Sequence, residues 1–355
     1  MAAVEGLYPN QNAQIWYDSE TAYGTGAGSA DEIGKVTNYS SNWTDNLHRL
    51  HGLGEGRNET SVIKGPVDVT ANIEWQLLAN FASGRSVSID FLKYGIGGVA
   101  GSGTTADPYD IVESEDYGYT AATDILTFQL EVAMEGVEVT AGTPIDDTTL
   151  FTGCIMPSFT INAAVGGLLT ARADITAQNV SCDATDVSAH TAEVGNPMAF
   201  QQGSFAFNAT PTDVVHVQDF SITGANNPII YRELGSRFIQ TPLTGQRKWD
   251  WTVRTMMSST QMAAMRNDFL HDASTPFTFD AGITDATVTG DMEILANFKE
   301  GVAAADMNVK FLLDDAYIMN MSPSVSVGGG LAEVTFTGGA KSSKTNFIEY
   351  YNTTA

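Results

Sequence analysis

Basic residues are scarce in this chain. Lys and Arg number 17 against 42 Asp and Glu, so 355 residues carry a formal charge of 17 − 42 = −25. No acidic tail holds the excess; the carboxylates run the length of the sequence. Gripping nucleic acid takes a stripe of Lys and Arg, because each neutralised phosphate releases counterions. The sequence has no such stripe, which argues against a DNA-gripping protein. Three readings of the acid excess are open. One is a soluble, self-repelling surface. Another is a high-salt host, since Asp outnumbers Glu and Lys is rare. The third is a surface that nucleic acid passes without being held.

Cysteine is nearly missing too. Cys154 and Cys182 are too few for a disulfide framework. Cys154 abuts Ile155 and Met156, which suits a buried thiol better than a ligand. No run of 18 uncharged apolar residues exists, so no segment is expected to span a membrane. The opening MAAVEGLYPNQ has no apolar h-region, so no signal peptide is expected. Catalytic motifs are absent as well. No Gly-x-Ser-x-Gly elbow leads into a helix. His48-x-x-His51 has the spacing of a helical metal pair but lies among glycines, outside any helix-forming context. His190, His216 and His271 are scattered. Asp146-Asp147 and Asp314-Asp315 are neighbours that a strand sends to opposite faces, so they make no carboxylate dyad. Calcium at the Asp-rich stretch 107–116 stays open as an alternative, although EF-hand spacing is missing. Trp249 and Trp251 could stack a sugar, but Trp on one face of an alternating strand is ordinarily core. The expectation is a non-enzymatic protein that needs no cofactor and no metal.

What the chain does have is alternation and glycine. With 34 Gly and 43 % apolar residues, alternating runs divided by turns predict a mainly β protein. Residues 67–76 (VDVTANIEWQ) show the cleanest period. Val67, Val69, Ala71, Ile73 and Trp75 face one way; Asp68, Thr70, Asn72, Glu74 and Gln76 face the other. Residues 126–134 alternate likewise, with Gln129 and Glu131 on the polar side. Residues 13–17 and 36–44 read as strands, 18–29 as a loop, and 83–94 as a short helix with Phe91, Leu92 and Tyr94 inward. An irregular excursion of about 20 residues at 45–64 is long enough to predict a functional loop or one held by a partner.

Two stretches are written alike. Residues 155–176 (IMPSFTINAAVGGLLTARADIT) and 318–337 (IMNMSPSVSVGGGLAEVTFT) each run Ile-Met, a Pro-Ser pair, an alternating arm, Gly-Gly-Leu and a second alternating arm. The segments before them also match in order. VQDFSIT at 217–223 matches VTNYSSN at 36–42; a second excursion at 225–244 matches 45–64; RKWDWTVR at 247–254 matches 67–74. Asp268-Phe269-Leu270, on a helix expected at 258–272, matches Asp90-Phe91-Leu92. An internal duplication follows. The offset falls from about 181 to about 163, so the first copy carries an insertion, placed at 95–123. The division is a first domain at 1–182 with an arm at 1–35, a small acidic linker at 183–198, and a second domain at 199–355.

The chain resembles the tail tube proteins of long-tailed bacterial and archaeal viruses. The resemblance rests on DSETAYGT at 18–25, on FTGCIMPSFTINAAVGGLLTARADITAQ at 151–178, and on the order strand, long loop, strand, helix, strands, hairpin. It spans most of the chain. At the second hairpin Gly153-Cys154 becomes Ala316-Tyr317, a departure from the pattern. The resemblance implies tandem β-sandwich domains, each with one flanking helix. It also implies rings whose inner sheets join into a barrel, with rings stacking into a tube. Six domains complete a ring, so three chains would suffice. The implied partners are the chain itself, the tape-measure, terminator and baseplate proteins, and double-stranded DNA as passing cargo, with no membrane. The implied place is the virion tail, after synthesis in the host cytoplasm.

Expected lumen positions are Asp68, Glu74, Gln129, Glu131 and Asp250. Lys248 and Arg254, on the matching strand, count against a purely acidic wall. By resemblance, the two excursions are inter-ring or inter-subunit arms, carrying His48, Arg49, Arg57 and Glu59 in the first and Arg232, Glu233 and Arg237 in the second. The alternative reading is a virion decoration protein or carbohydrate-binding module of β-sandwich type.

Overall fold

The computed structural model describes residues 13–50, 61–79, 86–104, 106–112, 127–137, 144–183, 189–193, 195–207, 212–213, 216–240, 242–243, 245–257, 294–300, 307–324 and 332–352. The helix expected at 258–272, Arg57, Glu59, His51 and the second glycine turn lie outside the described residues.

The elements, in order, are β1 Ala13–Ala22, β2 Thr25–Gly26, β3 Ser29–Glu32, β4 Val36–Leu50, β5 Ser61–Gln76 and β6 Leu78–Ala79. Two one-turn helices follow, α1 Val87–Asp90 and α2 Lys93–Ile96, then β7 Val99–Ala100, β8 Tyr109–Val112, β9 Phe128–Val137, β10 Pro144–Ala164, β11 Thr170–Ala177 and β12 Asn179–Asp183. Next come β13 Ala189–Thr191, β14 Asn196–Pro197, β15 Gly203–Phe207, β16 Thr212–Asp213, β17 Val217–Ala225 and β18 Lys248–Met257. The last three are β19 Ile294–Glu300, β20 Met307–Ser324 and β21 Ala332–Asn352. The protein is mainly β, as expected, with large antiparallel sheets consistent with a sandwich.

One sheet carries the architecture. Its strands run β4-β5-β11-β10-β17-β18-β21-β20, each antiparallel to the next. The first half of β10 leaves this sheet and pairs with β9 and β12, and β9 pairs with β1. The first half of β20 likewise pairs with β19, and β19 with β15. Period-two patterning explains the layering. Val69, Ala71, Ile73 and Trp75 of β5 are buried, as are Trp249, Trp251 and Val253 of β18. They meet Phe128, Leu130 and Phe151 from the second set of strands in one core cluster that runs from Ile15 to Tyr350. Truncating a buried Trp or Phe to Ala in such a core costs about 3–5 kcal/mol.

The glycine turn at 166–167 closes β10 onto β11, with Gly166 at a φ of 75° that suits Gly. The short helices fill the seam between strand sets. Phe91 packs edge-on and Tyr94 tilted against Phe128, and the Trp75 indole donates to the Ser88 carbonyl at 2.8 Å.

Several expectations change. Residues 45–50 and 61–64 are not irregular: β4 and β5 stay paired through Leu47↔Lys64, His48↔Ile63 and Arg49↔Val62, making a long hairpin arm. Residues 18–22 belong to β1, not a loop. The link at 183–198 includes β13, which pairs parallel to β3, and β14, which pairs with β6. The stretch 95–123 contributes β8, which crosses to pair with β21.

Candidate functional site

The eight-stranded sheet has one apolar face in the core and one polar face. Register fixes which residues share the polar one. Asn38 sits opposite Glu74, and Glu74 opposite Arg172. Arg172 sits opposite Thr160, and Thr160 opposite Thr223, whose hydroxyls lie 3.0 Å apart. Thr223 faces Asp250, while Asp219 faces Arg254, which faces Thr335. The face is mostly hydroxyl and amide.

Two of the three cations on this face, Arg254 and Lys248, pair with carboxylates. Arg254 pairs with Asp219 and lies 3.6 Å from Glu333; its hydrogen bond to Asp219 raises the guanidinium pKa above its usual range. Lys248 reaches Asp250 at 2.8 Å. Arg172 is flanked by Glu74 in register. Asp174 takes hydrogen bonds from Asn72 and from Ser158 (2.7 Å). Counting Asp68, Glu74, Asp174, Asp219, Asp250 and Glu333 against Arg172, Lys248 and Arg254 gives 3 − 6 = −3.

Of the positions predicted from sequence, Asp68, Glu74 and Asp250 share this face. Gln129 and Glu131 do not: they are on β9, in the other set of strands, and Glu131 is only 2 % exposed. Trp16, Ala30 and Ala133 form a second small cluster on that side of β9, so its polar side is covered rather than wet. Trp249 and Trp251 are buried, which removes them as a sugar-stacking platform.

The arms come together at one end of the sheet. The loop after β17 reaches back over β4 and β5. Arg237 donates to the Gly65 carbonyl at 2.8 Å and pairs with Asp45; Arg232 donates to the Val67 carbonyl at 3.0 Å and pairs with Asp68. The Arg237 carbonyl in turn accepts from Val67 N–H at 3.0 Å. The Glu233 backbone carbonyl accepts from Ser236 N–H and shapes the turn. His48 and Arg49 sit on the β4 side of the hairpin arm. Leu47, Val62 and Ile63 on the hairpin, and Ile229, Leu234 and Leu243 on the loop, are exposed.

Sequence reading missed two anchors. Asn226 is buried and accepts from Arg247 at 2.8 Å while donating to the Gly95 and Met156 carbonyls at 2.8 and 3.1 Å. Glu20 is buried and accepts from Gly153 N–H, Gly24 N–H and the Thr127 hydroxyl. Neither belongs to a periodic pattern, so only the tertiary fold reveals them. Cys154 is buried, as expected, and burial pushes its thiol pKa up. Among the described residues no group of three or more His, Cys, Asp or Glu could hold a metal ion, and no helix is long and apolar enough to cross a membrane.

Two sheet edges stay open. Among the described residues, β4 has only β5 beside it, and residues 318–324 of β20 have only β21. Trp43 on the first edge is 50 % exposed and Met319 on the second 57 %. A polar sheet face of low charge, two unpaired edges and apolar arms describe an assembling part. No curated protein matches the chain. The model of the phage tail tube protein family matches residues 10–342, and the chain belongs to that family of structural virion tail proteins.

Proposed function

We propose that the chain is a double unit of a tail tube ring. Residues 1–182 and 199–355 are two copies of one sandwich, and three chains close a pseudo-hexameric ring that stacks into a tube. One observation carries this reading. β4 and β5 skip a residue between Val36↔Trp75 and Asn38↔Glu74. β17 and β18 skip one between Val217↔Thr255 and Asp219↔Arg254. The offsets are 217 − 36 = 181 and 255 − 75 = 180, so the same bulge stands at matching positions. Bulges re-aim strands and are kept features rather than accidents. The strand order β4-β5-β11-β10 is then repeated as β17-β18-β21-β20.

Closing such sheets into a ring removes open edges, which are otherwise sites of uncontrolled pairing. The polar face becomes the lumen wall. DNA passes it as cargo during ejection: its phosphates meet mostly hydroxyls and amides, with Arg254 and Lys248 already paired to carboxylates, so few counterions are released and little holds the strand. The arms, with exposed Leu47, Val62, Ile63 and Leu234, meet the next ring in the stack or the tape-measure, terminator and baseplate proteins at the ends. Electron micrographs of purified protein are expected to display rings or tubes with three chains per ring. A monomer that persists over a wide range of concentration and salt would refute the reading.

A further inference from the structure

The chain contains one seam between copies and exposes the two halves of another. Inside the chain, β10 and β17 pair antiparallel from Ser158↔Ala225 to Ala164↔Asp219. The neighbours of each strand locate the matching positions. Arg172 faces Thr160, and Thr335 faces Ser322; both Arg172 and Thr335 lie opposite the bulge-marked pair Glu74 and Arg254. Thr160 of β10 therefore corresponds to Ser322 of β20. On the other strand, the shared bulge makes Thr223 of β17 correspond to Asn42 of β4, since 223 − 181 = 42.

Resting on the ring reading above, we infer that β20 of one chain pairs with β4 of a second copy in the register of the internal seam: Ser322 opposite Asn42, Met321 opposite Trp43, and Asn320 opposite Thr44. Faces agree under this register. Ser322 and Asn42 continue the polar wall, because they lie in register with Thr335 and Thr70. Met321 and Trp43 continue the core side, in register with Phe336 and Val69. A shift by one residue would put Trp43 against the polar wall and bury hydroxyls in the core, which side-chain alternation forbids.

Side-chain sizes fit as well. At the internal seam, Phe159 pairs with Gly224. A Cβ on Gly224 would lie 2.5 Å from the Phe159 ring and 3.0 Å from Trp249, so that half of the pair must be empty. At the open edges the large residue has changed strands: Met321 replaces Phe159 and Trp43 replaces Gly224. A flexible Met leaves space that a half-exposed indole fills. The occupant is thus a second copy of this chain, because each open edge supplies what the other lacks.

The test uses full-length chain with Cys182→Ser, so that buried Cys154 is the only native thiol left. Asn42→Cys with Ser322→Cys should form an intermolecular disulfide on mild oxidation, giving covalent species of up to three chains. The matching internal pair has hydroxyls 3.0 Å apart, which places these side chains in contact. Asn42→Cys with Ser324→Cys, and Ser40→Cys with Ser322→Cys, are diagonal pairs roughly 7–8 Å apart and should not cross-link. In parallel, Trp43→Ala should lower the melting of dissociated chains only modestly, through the lost edge-on contact with Phe151, and raise the concentration needed for rings at least about tenfold, as truncation of a central aromatic does. Rings that form normally but cross-link only through a diagonal pair, or assemble undisturbed with Trp43→Ala, overturn this register and leave the ring reading standing. Absence of rings from the parent protein overturns both.

Discussion

At the scale of single residues, Glu20 is the clearest case of a buried carboxyl tied down by the fold. Its carboxylate accepts from Gly24 N–H at 3.0 Å, Gly153 N–H at 2.7 Å and the Thr127 hydroxyl at 2.6 Å. Gly153 adopts a φ of 63° beside the Gln178 side chain, a conformation that glycine takes without strain. Burial raises the Glu20 pKa above its ordinary 4.5, the three donors pull it back, and the charge of Asp18 adds to the rise. Between 4.5 and that raised value the folded chain keeps a proton that the unfolded chain has lost, so stability falls as pH rises through the window. Glu20→Gln has no proton to release there. The melting temperature of the parent should therefore decline relative to Glu20→Gln as pH climbs from below 4.5. Parallel curves would mean that the donors cancel burial. None of this was legible in the sequence, where residues 18–29 read as a polar loop. The partners that make Glu20 intelligible lie 107 and 133 positions away.

At the scale of elements, legibility follows burial. The strand 67–76 was readable because one face is sealed and the other is wet, so selection for a core leaves a period of two. Its continuation toward Ser61 read as irregular because the arm projects past the core. Leu47, Val62 and Ile63 are all exposed, and with neither face buried no period is imposed. The first glycine hairpin was readable for its turn, and the second for the two strands that pair, β20 and β21. The contact between arms was not, since Arg237 meets Asp45 across 192 positions. That contact predicts a local effect. The ion pair is about one-third exposed on the Arg side and more on the Asp side, so its worth is at most about 1 kcal/mol. Arg237→Ala should barely move the melting temperature. It should speed protease cleavage within residues 229–240, because the loop's ties to Gly65 and Asp45 are lost together. A large fall in melting temperature with unchanged cleavage would show that Arg237 supports the core rather than the arm.

At the scale of the whole molecule, charge has to be divided between surfaces. Of the formal −25, only −3 falls on the polar face of the eight-stranded sheet, so the acid excess is chiefly a property of the rest of the chain. This face, proposed above as the lumen wall, is mostly hydroxyl and amide, and its Arg254 and Lys248 are paired with acids. Two substitutions change that balance without replacing a residue of the seam or the arms. Thr70 is exposed on this face and Glu74 is half-buried beside Arg172. Thr70→Lys with Glu74→Lys adds 1 and 2 charges, taking the face from −3 to 0 and leaving cations without acidic partners. Asp68 is the wrong choice for this test, because it also holds Arg232. Tails built from the double variant should assemble, since both side chains point away from the core. DNA release from them should slow, and the delay should shrink as salt rises, because screening weakens phosphate contacts. Release at the parental rate in both low and high salt, from tails of normal length, would separate the polar face from DNA passage and leave it a solvent-facing surface.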